Sequence, residues 1–173
     1  MKKEKVWVVD EQDNPIKVVN REDLKAGDIW RVSSVILIDA KERVLIAQRD
    51  FSKKYSPGLW GTSAAGTIES HETPEQNIQK ELEEEVGVKL GADRFKFMGK
   101  CFYKAEHGTA RFLYRFLVEV EPEDNIDIVL EEGQVADTKW IGIEELSEDI
   151  KLNAENYVGG SASFIELIKD SRA

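Results

Sequence analysis

Residues 66–88 read GTIESHETPEQNIQKELEEEVGV, and this stretch contains the signals for both ends of a helix. Thr73 suits the N-cap position, with Gln76 three residues later as in a capping box, and a proline occupies the first helical position. Gly87 supplies the left-handed residue that often ends a helix. The sequence therefore predicts a helix over residues 74–86.

The predicted helix has an apolar side and an acidic side. At about 100° per residue, one stripe collects apolar side chains, as expected for a helix that packs on a sheet: Ile78, Leu82 and Val86. The adjoining face collects three glutamates: Glu81, Glu84 and Glu85. Glu83 points away from them, toward water. Because like charges at neighbouring helical positions repel each other, this face favours a bound cation.

The last turn of the helix is an unfavourable place for Glu84 and Glu85. The helix dipole already presents partial negative charge there, which costs about 0.3–1 kcal/mol per charge. A hard divalent cation such as Mg²⁺ would compensate, since it prefers carboxylate and water oxygens and leaves positions open for substrate phosphates. The alternative interpretation is a solvated acidic face in an acidic protein.

The spacing of residues 66–88 resembles the Nudix box, the signature of the Nudix hydrolase family. That box runs glycine, five residues, glutamate, seven residues, arginine and glutamate, an aliphatic residue, any residue, two glutamates, any residue, glycine and an aliphatic residue. The matching positions are Gly66, Glu72, Glu81, Leu82, Glu84, Glu85, Gly87 and Val88. One position departs from the pattern, because Lys80 replaces the arginine. An ammonium keeps the charge but not the planar fork that binds a carboxylate with two bonds, so we expect an effect on efficiency rather than on reaction type.

The resemblance implies an α/β/α sandwich with a mixed sheet and a metal-dependent pyrophosphohydrolase. In such an enzyme water attacks phosphorus and breaks the diphosphate linkage of a nucleoside diphosphate derivative or a similar organic diphosphate. The implied cofactor is Mg²⁺, with Mn²⁺ as the alternative. The implied metal ligands are the Gly66 carbonyl, although a plain turn glycine also explains this position, and the carboxylates of Glu81, Glu84 and Glu85. One of these carboxylates, or one on a later loop, would act as the catalytic base.

The later loop has the sequence LEEGQV and offers Glu131 or Glu132 as a further ligand. We predict that Glu132 is the metal ligand. The alternative for both residues is that they are solvated acids on the surface. Glu72, just before the helix, suits a structural role as well as a catalytic one. We assign no role to His71 or His107, which lack metal-ligand spacing to a partner.

A net charge of −10 raises the question of how an acidic protein attracts an anionic diphosphate. The bases just before the box are Arg49, Lys53 and Lys54, and we predict that they bind the substrate. Surface lysines in a turn are the alternative interpretation for the last two. Aromatic residues such as Trp30 and Tyr103 could stack on a base, although core packing explains them equally well.

The overall composition indicates one globular domain of 173 residues, with 41% hydrophobic and 34% charged residues. We expect an N-terminal hairpin and connector over residues 1–27 and a core over 28–173. The acidic charge argues against nucleic acid or an anionic membrane surface as a partner. A single cysteine, Cys101, and the absence of a signal-like N-terminus favour a cytoplasmic protein. A homodimer is a possible assembly.

Alternating apolar residues and turn signals predict the remaining elements. They are a hairpin over 5–20, a second hairpin from 31–39 and 43–49, strands at 59–64, 94–105, 110–120 and 136–143, a turn at 106–108, and helices at 143–150 and 160–170.

Two other functions compete with hydrolysis. The N-terminal extension resembles that of Nudix proteins allied to isopentenyl-diphosphate isomerase. Those isomerases use a cysteine and a histidine near the segment PGLWGTSAAG, where this chain has Ala64, Ala65 and Thr67, and no histidine precedes His71. The protonation machinery of an isomerase is therefore missing. The other alternative is a non-catalytic diphosphate-binding module, in which Lys80 marks the loss of activity.

Overall fold

The computed structural model describes residues 3–105, 108–124 and 126–173. Within these ranges the strands are β1 Lys5–Val9, β2 Pro15–Asn20, β3 Ile29–Asp39, β4 Arg43–Arg49, β5 Trp60–Gly61, β6 Ala64–Thr67, β7 Lys96–Lys104, β8 Ala110–Val120 and β9 Val135–Gly142. The α-helices are α1 Pro74–Val86, α2 Ile143–Leu152 and α3 Ser161–Arg172.

Strand β3 is the centre of the sheet. One of its edges pairs with β8 in parallel over its whole length, from Ile29 to Asp39. Its other edge is shared by three antiparallel partners in succession, which are β1, β6 and β4. Beyond these, β7 pairs with β8, β2 pairs with β1, and β4 carries both β9 and β5. The sheet is therefore mixed, as the sequence predicts.

The two faces of the sheet carry separate apolar cores. Because side chains alternate along a strand, Val35 and Leu37 of β3 face α1, whereas Ile36 and Ile38 face α2 and α3. The apolar stripe of α1 is fully buried, as predicted: Ile78, Leu82 and Val86. On the opposite face Phe164 of α3 is equally buried. The molecule is an α/β/α sandwich, as predicted.

The N-terminal hairpin predicted over 5–20 is present as β1 and β2. It is attached to the sheet through Asp13, a buried residue in the left-handed region with φ of 67°. The Asp13 carboxylate accepts hydrogen bonds from Arg31 Nε at 2.8 Å, from Lys100 Nζ at 2.5 Å and from the Tyr114 hydroxyl. Burial opposes ionisation, but these hydrogen bonds dominate and lower the pKa of Asp13.

The sequence-based prediction of one strand over 59–64 is only partly right. The structure has two short strands there, and β5 pairs with β4 while β6 pairs with β3. Ser63 lies between them, and its hydroxyl donates to the Leu45 carbonyl at 2.6 Å and accepts from the Leu37 amide at 2.9 Å. The predicted turn at 106–108 falls largely on residues outside the described ranges. No helix in the described part of the chain is long and apolar enough to cross a membrane.

We expect Asp13→Asn to destabilise the protein by about 1–3 kcal/mol, because the amide cannot compensate two cations as a carboxylate does. Asparagine tolerates the left-handed backbone, so the change tests charge rather than strain. Since the pKa of Asp13 is lowered in the folded state, its stabilising effect is present above the ordinary pKa of 3.8 and is lost as pH falls below it. Denaturant unfolding at pH 7 and pH 3 measures this, with Asp170→Asn on the exposed surface of α3 as the control. An equal loss for both variants at pH 7 would contradict the proposed anchor.

Candidate functional site

The candidate site lies where the sheet divides. Strands β3 and β4 pair only at Leu37 with Leu45 and at Ile38 with Val44, and further along β3 the partner is β6. The second edge of β6 carries no strand in the described part of the chain. The Ala65 amide on that edge instead donates to Glu85 Oε2 at 3.0 Å. The division of the sheet thus lets a side chain of α1 reach the backbone of β6.

Helix α1 holds its glutamates in place through the capping signals read from the sequence. The Thr73 hydroxyl accepts from the Gln76 amide, and the Gln76 side chain accepts from the Thr73 amide, so the capping box is present. Gly87 has φ of 74° and ends the helix, as predicted. Glu83 is exposed and pairs with Lys89 at 2.9 Å, in agreement with its predicted solvent position.

Two of the three predicted glutamates are half-buried against β6. Glu81 lies directly over Gly66, where a Cβ would overlap with the Glu81 carboxyl group. Burial, followed by the neighbouring Glu85 charge, raises the pKa of Glu81 to about 7. Burial also raises the pKa of Glu85 to about 7, although the Ala65 amide and the charges of Lys53 and Arg49 oppose it.

Glu84 is exposed, and its charge contributes to the raised pKa of Glu81. Among the described residues, the oxygens of Glu81, Glu84 and Glu85 do not form a group within 4.8 Å of one another. Their roles as metal ligands and catalytic groups, and that of Gly66, remain predictions.

Lys80, at the position where the box has arginine, contacts three carboxylates. Its Nζ lies 2.6 Å from Glu72 Oε1, 3.5 Å from Glu69 Oε1 and 3.9 Å from Glu81 Oε1. The Asn77 amide donates to Glu72 Oε2 at 2.8 Å and to Glu81 Oε1 at 3.3 Å. The buried Asn77 was not identified from the sequence, although it links the isolated box glutamate to the cluster on the helix.

A second acidic group also contacts Lys80. Oxygens of Glu69 and Glu72 and a ring nitrogen of His71 lie within 4.8 Å of one another, a spacing that can hold a metal ion. Glu69 and Glu72 already pair with Lys80, and Glu72 is further held by the Asn77 amide. This arrangement favours a positioning role for Glu72.

A cleft of about 990 Å³ opens on the sheet face that carries α2 and α3, with Gly66 and Glu85 at one end. Its walls contain more basic residues than the sequence identified: Lys3, Arg21, Lys25, Arg49, Lys54, Arg111 and Arg115. These bases concentrate positive charge at one cleft of a protein whose net charge is −10. Two of the missed residues had one signal in the sequence, because Arg111 and Arg115 lie on the same face of a strand whose other residues are apolar except for Tyr114 and Glu119.

The predicted substrate-binding bases lie around this cleft. Arg49 lines it, and its Nε donates to the Tyr55 carbonyl at 3.1 Å. Burial lowers the pKa of Arg49, although the Glu85 charge opposes the shift. Lys53 is half-buried and its Nζ contacts the Gln134 side chain, while the exposed Lys54 lines the cleft with its Nζ 5.1 Å from the Tyr55 ring. Substrate binding by these three bases remains a prediction.

The N-terminal hairpin also contributes to the cleft wall. Arg21 follows β2 and is held by Glu4 through an ion pair of 2.6 Å. Its charge acts on Arg49, Lys53 and Glu81, since it contributes to the pKa shifts of all three. The extension therefore contributes residues to the wall of the cleft as well as strands to the sheet.

The two glutamates considered on the later loop are placed differently. The Glu131 amide donates to the Glu85 carbonyl at 3.0 Å, and the Glu131 charge helps to raise the pKa of Glu85. Glu132 is exposed, and it does not line the cleft among the described residues. The structure thus brings Glu131 close to the site, whereas the role of Glu132 as a metal ligand stays a prediction.

Comparisons with known proteins agree with this geometry. A family model described as the NUDIX domain matches residues 29–163. An isopentenyl-diphosphate Delta-isomerase of Haloarcula marismortui is 37% identical, covering 84% of this chain and 80% of that protein. A prenyl-diphosphate phosphatase of Methanosarcina mazei is 29% identical, covering 86% and 85%. A crystal structure of a Deinococcus radiodurans protein aligns with a TM-score of 0.71 at 20% identity, covering 94% and 98%, which supports the fold.

We expect Glu85→Gln to stabilise the metal-free protein at pH 8. Because the pKa of Glu85 rises from 4.5 to about 7, the folded state binds more protons than the unfolded state in this window. Stability therefore falls as pH rises from about 4.5 to about 7, and the amide removes this loss. Each 1 kcal/mol corresponds to about 2–4 °C in Tm for a domain of this size.

Thermal unfolding in EDTA at pH 8 and pH 5 measures the effect, with Glu83→Gln as the control on the exposed side of α1. The expected gain in Tm is larger at pH 8 than at pH 5 and specific to Glu85→Gln. A lower Tm for Glu85→Gln at pH 8 would show that the carboxylate is not destabilised by its surroundings.

Proposed function

Since this chain belongs to the Nudix family and is a Nudix hydrolase, we propose that it hydrolyses an organic diphosphate with the help of Mg²⁺ or Mn²⁺. The observation that carries the proposal is the pair of half-buried carboxylates, Glu81 and Glu85, placed beside Gly66 at the end of a cleft lined with basic side chains. We propose a cytoplasmic location for this reaction, which the single cysteine supports.

The donor set fits a hard divalent cation. Glu81 and Glu85 have oxygens close to a glycine backbone, and their raised pKa values show that a positive charge would stabilise their ionised forms. Glu84 and one acid of the later loop complete the proposed ligands, the latter being Glu132 or, by its position, Glu131. A bound cation would neutralise diphosphate oxygens and lower the pKa of a water molecule.

The protein groups bind and orient the diphosphate beside these carboxylates. Arg49 and Lys54 line the cleft, and the charge of Lys53 acts on Glu85. Their donors hold phosphate oxygens in place, so that positioning and charge stabilisation supply most of the catalysis. A carboxylate of the site accepts the proton of the attacking water, and the bond between phosphorus and the bridging oxygen breaks.

Glu81→Gln and Glu85→Gln should each reduce phosphate release by roughly 100-fold or more, because each removes a charged group at the reacting centre. The measurement is release of phosphate from a panel of organic diphosphates with Mg²⁺ or Mn²⁺. Glu83→Gln is the matched control, since Glu83 lies on the same helix, is exposed and pairs only with Lys89 among the described residues. Full activity in both site variants would refute the assignment.

A second candidate is isopentenyl-diphosphate isomerisation, favoured by the 37% identity to the isomerase of Haloarcula marismortui. The positions near the segment PGLWGTSAAG argue against it, because Ala64 is buried and Ala65 offers only its backbone amide to Glu85. Neither side chain can donate or accept a proton.

Incubation with isopentenyl diphosphate and Mg²⁺ tests this alternative. We expect no allylic isomer above the rate of the uncatalysed control, while the hydrolysis panel shows turnover with at least one diphosphate. Formation of the allylic diphosphate at an enzymatic rate, abolished by Glu85→Gln, would replace hydrolysis by isomerisation as the function of this site.

A further inference from the structure

A buried amide side chain connects two of the carboxylates that Lys80 contacts. Asn77 of α1 is fully buried, and its Oδ1 accepts a hydrogen bond from the Ser33 hydroxyl of β3. This bond fixes the orientation of the amide, so that its Nδ2 faces the carboxylates. The distances from Nδ2 are 2.8 Å to Glu72 Oε2 and 3.3 Å to Glu81 Oε1. One side chain therefore contacts both Glu72, ahead of the helix, and Glu81 on its acidic face.

The nitrogen of this amide has more acceptors than hydrogens. Besides the two carboxylates, the Thr67 carbonyl lies 3.1 Å from Asn77 Nδ2. An amide nitrogen carries two hydrogens, so three acceptors share them, and the contact with Glu81 is the longest of the three. A buried amide is costly unless it is hydrogen-bonded. The contacts with Ser33 and Thr67 meet part of this need, and they involve no atom of Lys80.

Asn77 and Lys80 bind different oxygens of the same carboxylate. They lie three residues apart on α1 and therefore on one face of the helix. Lys80 Nζ is 2.6 Å from Glu72 Oε1, whereas Asn77 Nδ2 binds Oε2. The Glu69 amide also donates to Oε2, at 3.1 Å. Because the Glu72 side chain is only 10% exposed, its charge depends on these donors more than on water.

Two donors placed on the two oxygens of a carboxylate are what an arginine supplies from a single group. A guanidinium is a planar fork, whereas an ammonium binds as a point charge. In this chain the ammonium of Lys80 takes one oxygen of Glu72, and the amide of Asn77 takes the other. A second side-chain donor from the same helix face is thus present although the arginine of the box is absent.

We propose that Asn77 is a positioning residue that, together with Lys80, replaces the arginine of the box. The pair holds Glu72, and the same amide holds Glu81 over Gly66. The effect on turnover rests on the proposed function, in which Glu81 is a metal ligand and a catalytic group. Lysine at position 80 is then a compensated exchange and does not mark the loss of activity that the binding-module alternative assumes.

A purely structural role for Asn77 leads to a different expectation. Loss of the contacts with Ser33 and Thr67 would cost the same whether lysine or arginine occupies position 80. Only the bond to Glu72 can be replaced by a second guanidinium donor, since Asn77→Ala vacates the space beside Oε2. A double-mutant cycle that combines Asn77→Ala with Lys80→Arg therefore separates the two roles.

The cycle compares the wild type, Asn77→Ala, Lys80→Arg and the double variant. The measurements are Tm in EDTA at pH 8, and kcat and KM with the best diphosphate of the hydrolysis panel. In the wild-type background we expect Asn77→Ala to lower kcat roughly tenfold, as for partners that orient a metal ligand, with a smaller effect on KM. In the Lys80→Arg background the same change should lower kcat by at most about twofold, because the fork supplies the missing donor. The loss of Tm should also be clearly smaller there.

Gln79→Ala is the matched control on the same helix. The Gln79 side chain donates to the Leu90 carbonyl at 2.8 Å, which is a backbone group away from the glutamates of the box. This variant should lower Tm equally in both backgrounds and leave kcat unchanged. If Asn77→Ala does not fold, Asn77→Ser enters the same cycle, because it keeps a polar group at the buried position but is one bond shorter on the side of Glu72.

Equal losses of Tm in the two backgrounds, or equal factors in kcat, would overturn the inference and leave Asn77 as a buried polar residue of the fold. The proposed function fails separately, when no diphosphate of the panel is hydrolysed with Mg²⁺ or Mn²⁺. In that case the Tm values alone decide whether Asn77 and Lys80 act as a pair, and a smaller loss in the Lys80→Arg background supports the pairing.

Discussion

The burial of two carboxylates, Glu81 and Glu85, is the constraint on which the rest of the site depends. Burial is the main cause that raises both pKa values to about 7, with the Glu85 charge adding to the shift of Glu81 and the Glu131 charge adding to that of Glu85, so the charged forms are unfavourable where the fold places them. The fold offsets this with the Ala65 amide and with the charges of Lys53 and Lys80. Such an arrangement persists because the apolar stripe of α1 stabilises the helix independently of its acidic face.

The division of the sheet converts this local constraint into a binding site. A continuous pairing of β3 with β4 would separate α1 from the opposite face, but β6 takes over one edge of β3 and leaves its own outer edge available. Ser63 bridges Leu37 and Leu45 where the strands diverge, which fixes the position of the gap.

The sequence predicted the features that depend on contacts between residues close together in the chain. It could not predict those that depend on residues far apart in the chain. The limits of α1 and the solvent position of Glu83 depend on contacts within a few residues, and the sequence contained them. Arg111 could not be assigned, because its place opposite Trp30 depends on a parallel pairing between strands some 80 residues apart in the chain. For the same reason the sequence left Glu131 and Glu132 unresolved: their difference arises from one backbone hydrogen bond to Glu85.

Relatives with isomerase and phosphatase names show that this scaffold is compatible with more than one reaction of diphosphates. In this chain the segment with Ala64 and Ala65 offers no side chain that can move a proton to carbon. This argues against isomerisation, whereas the hydrolysis that we propose needs only activation of water and charge stabilisation beside Glu81 and Glu85.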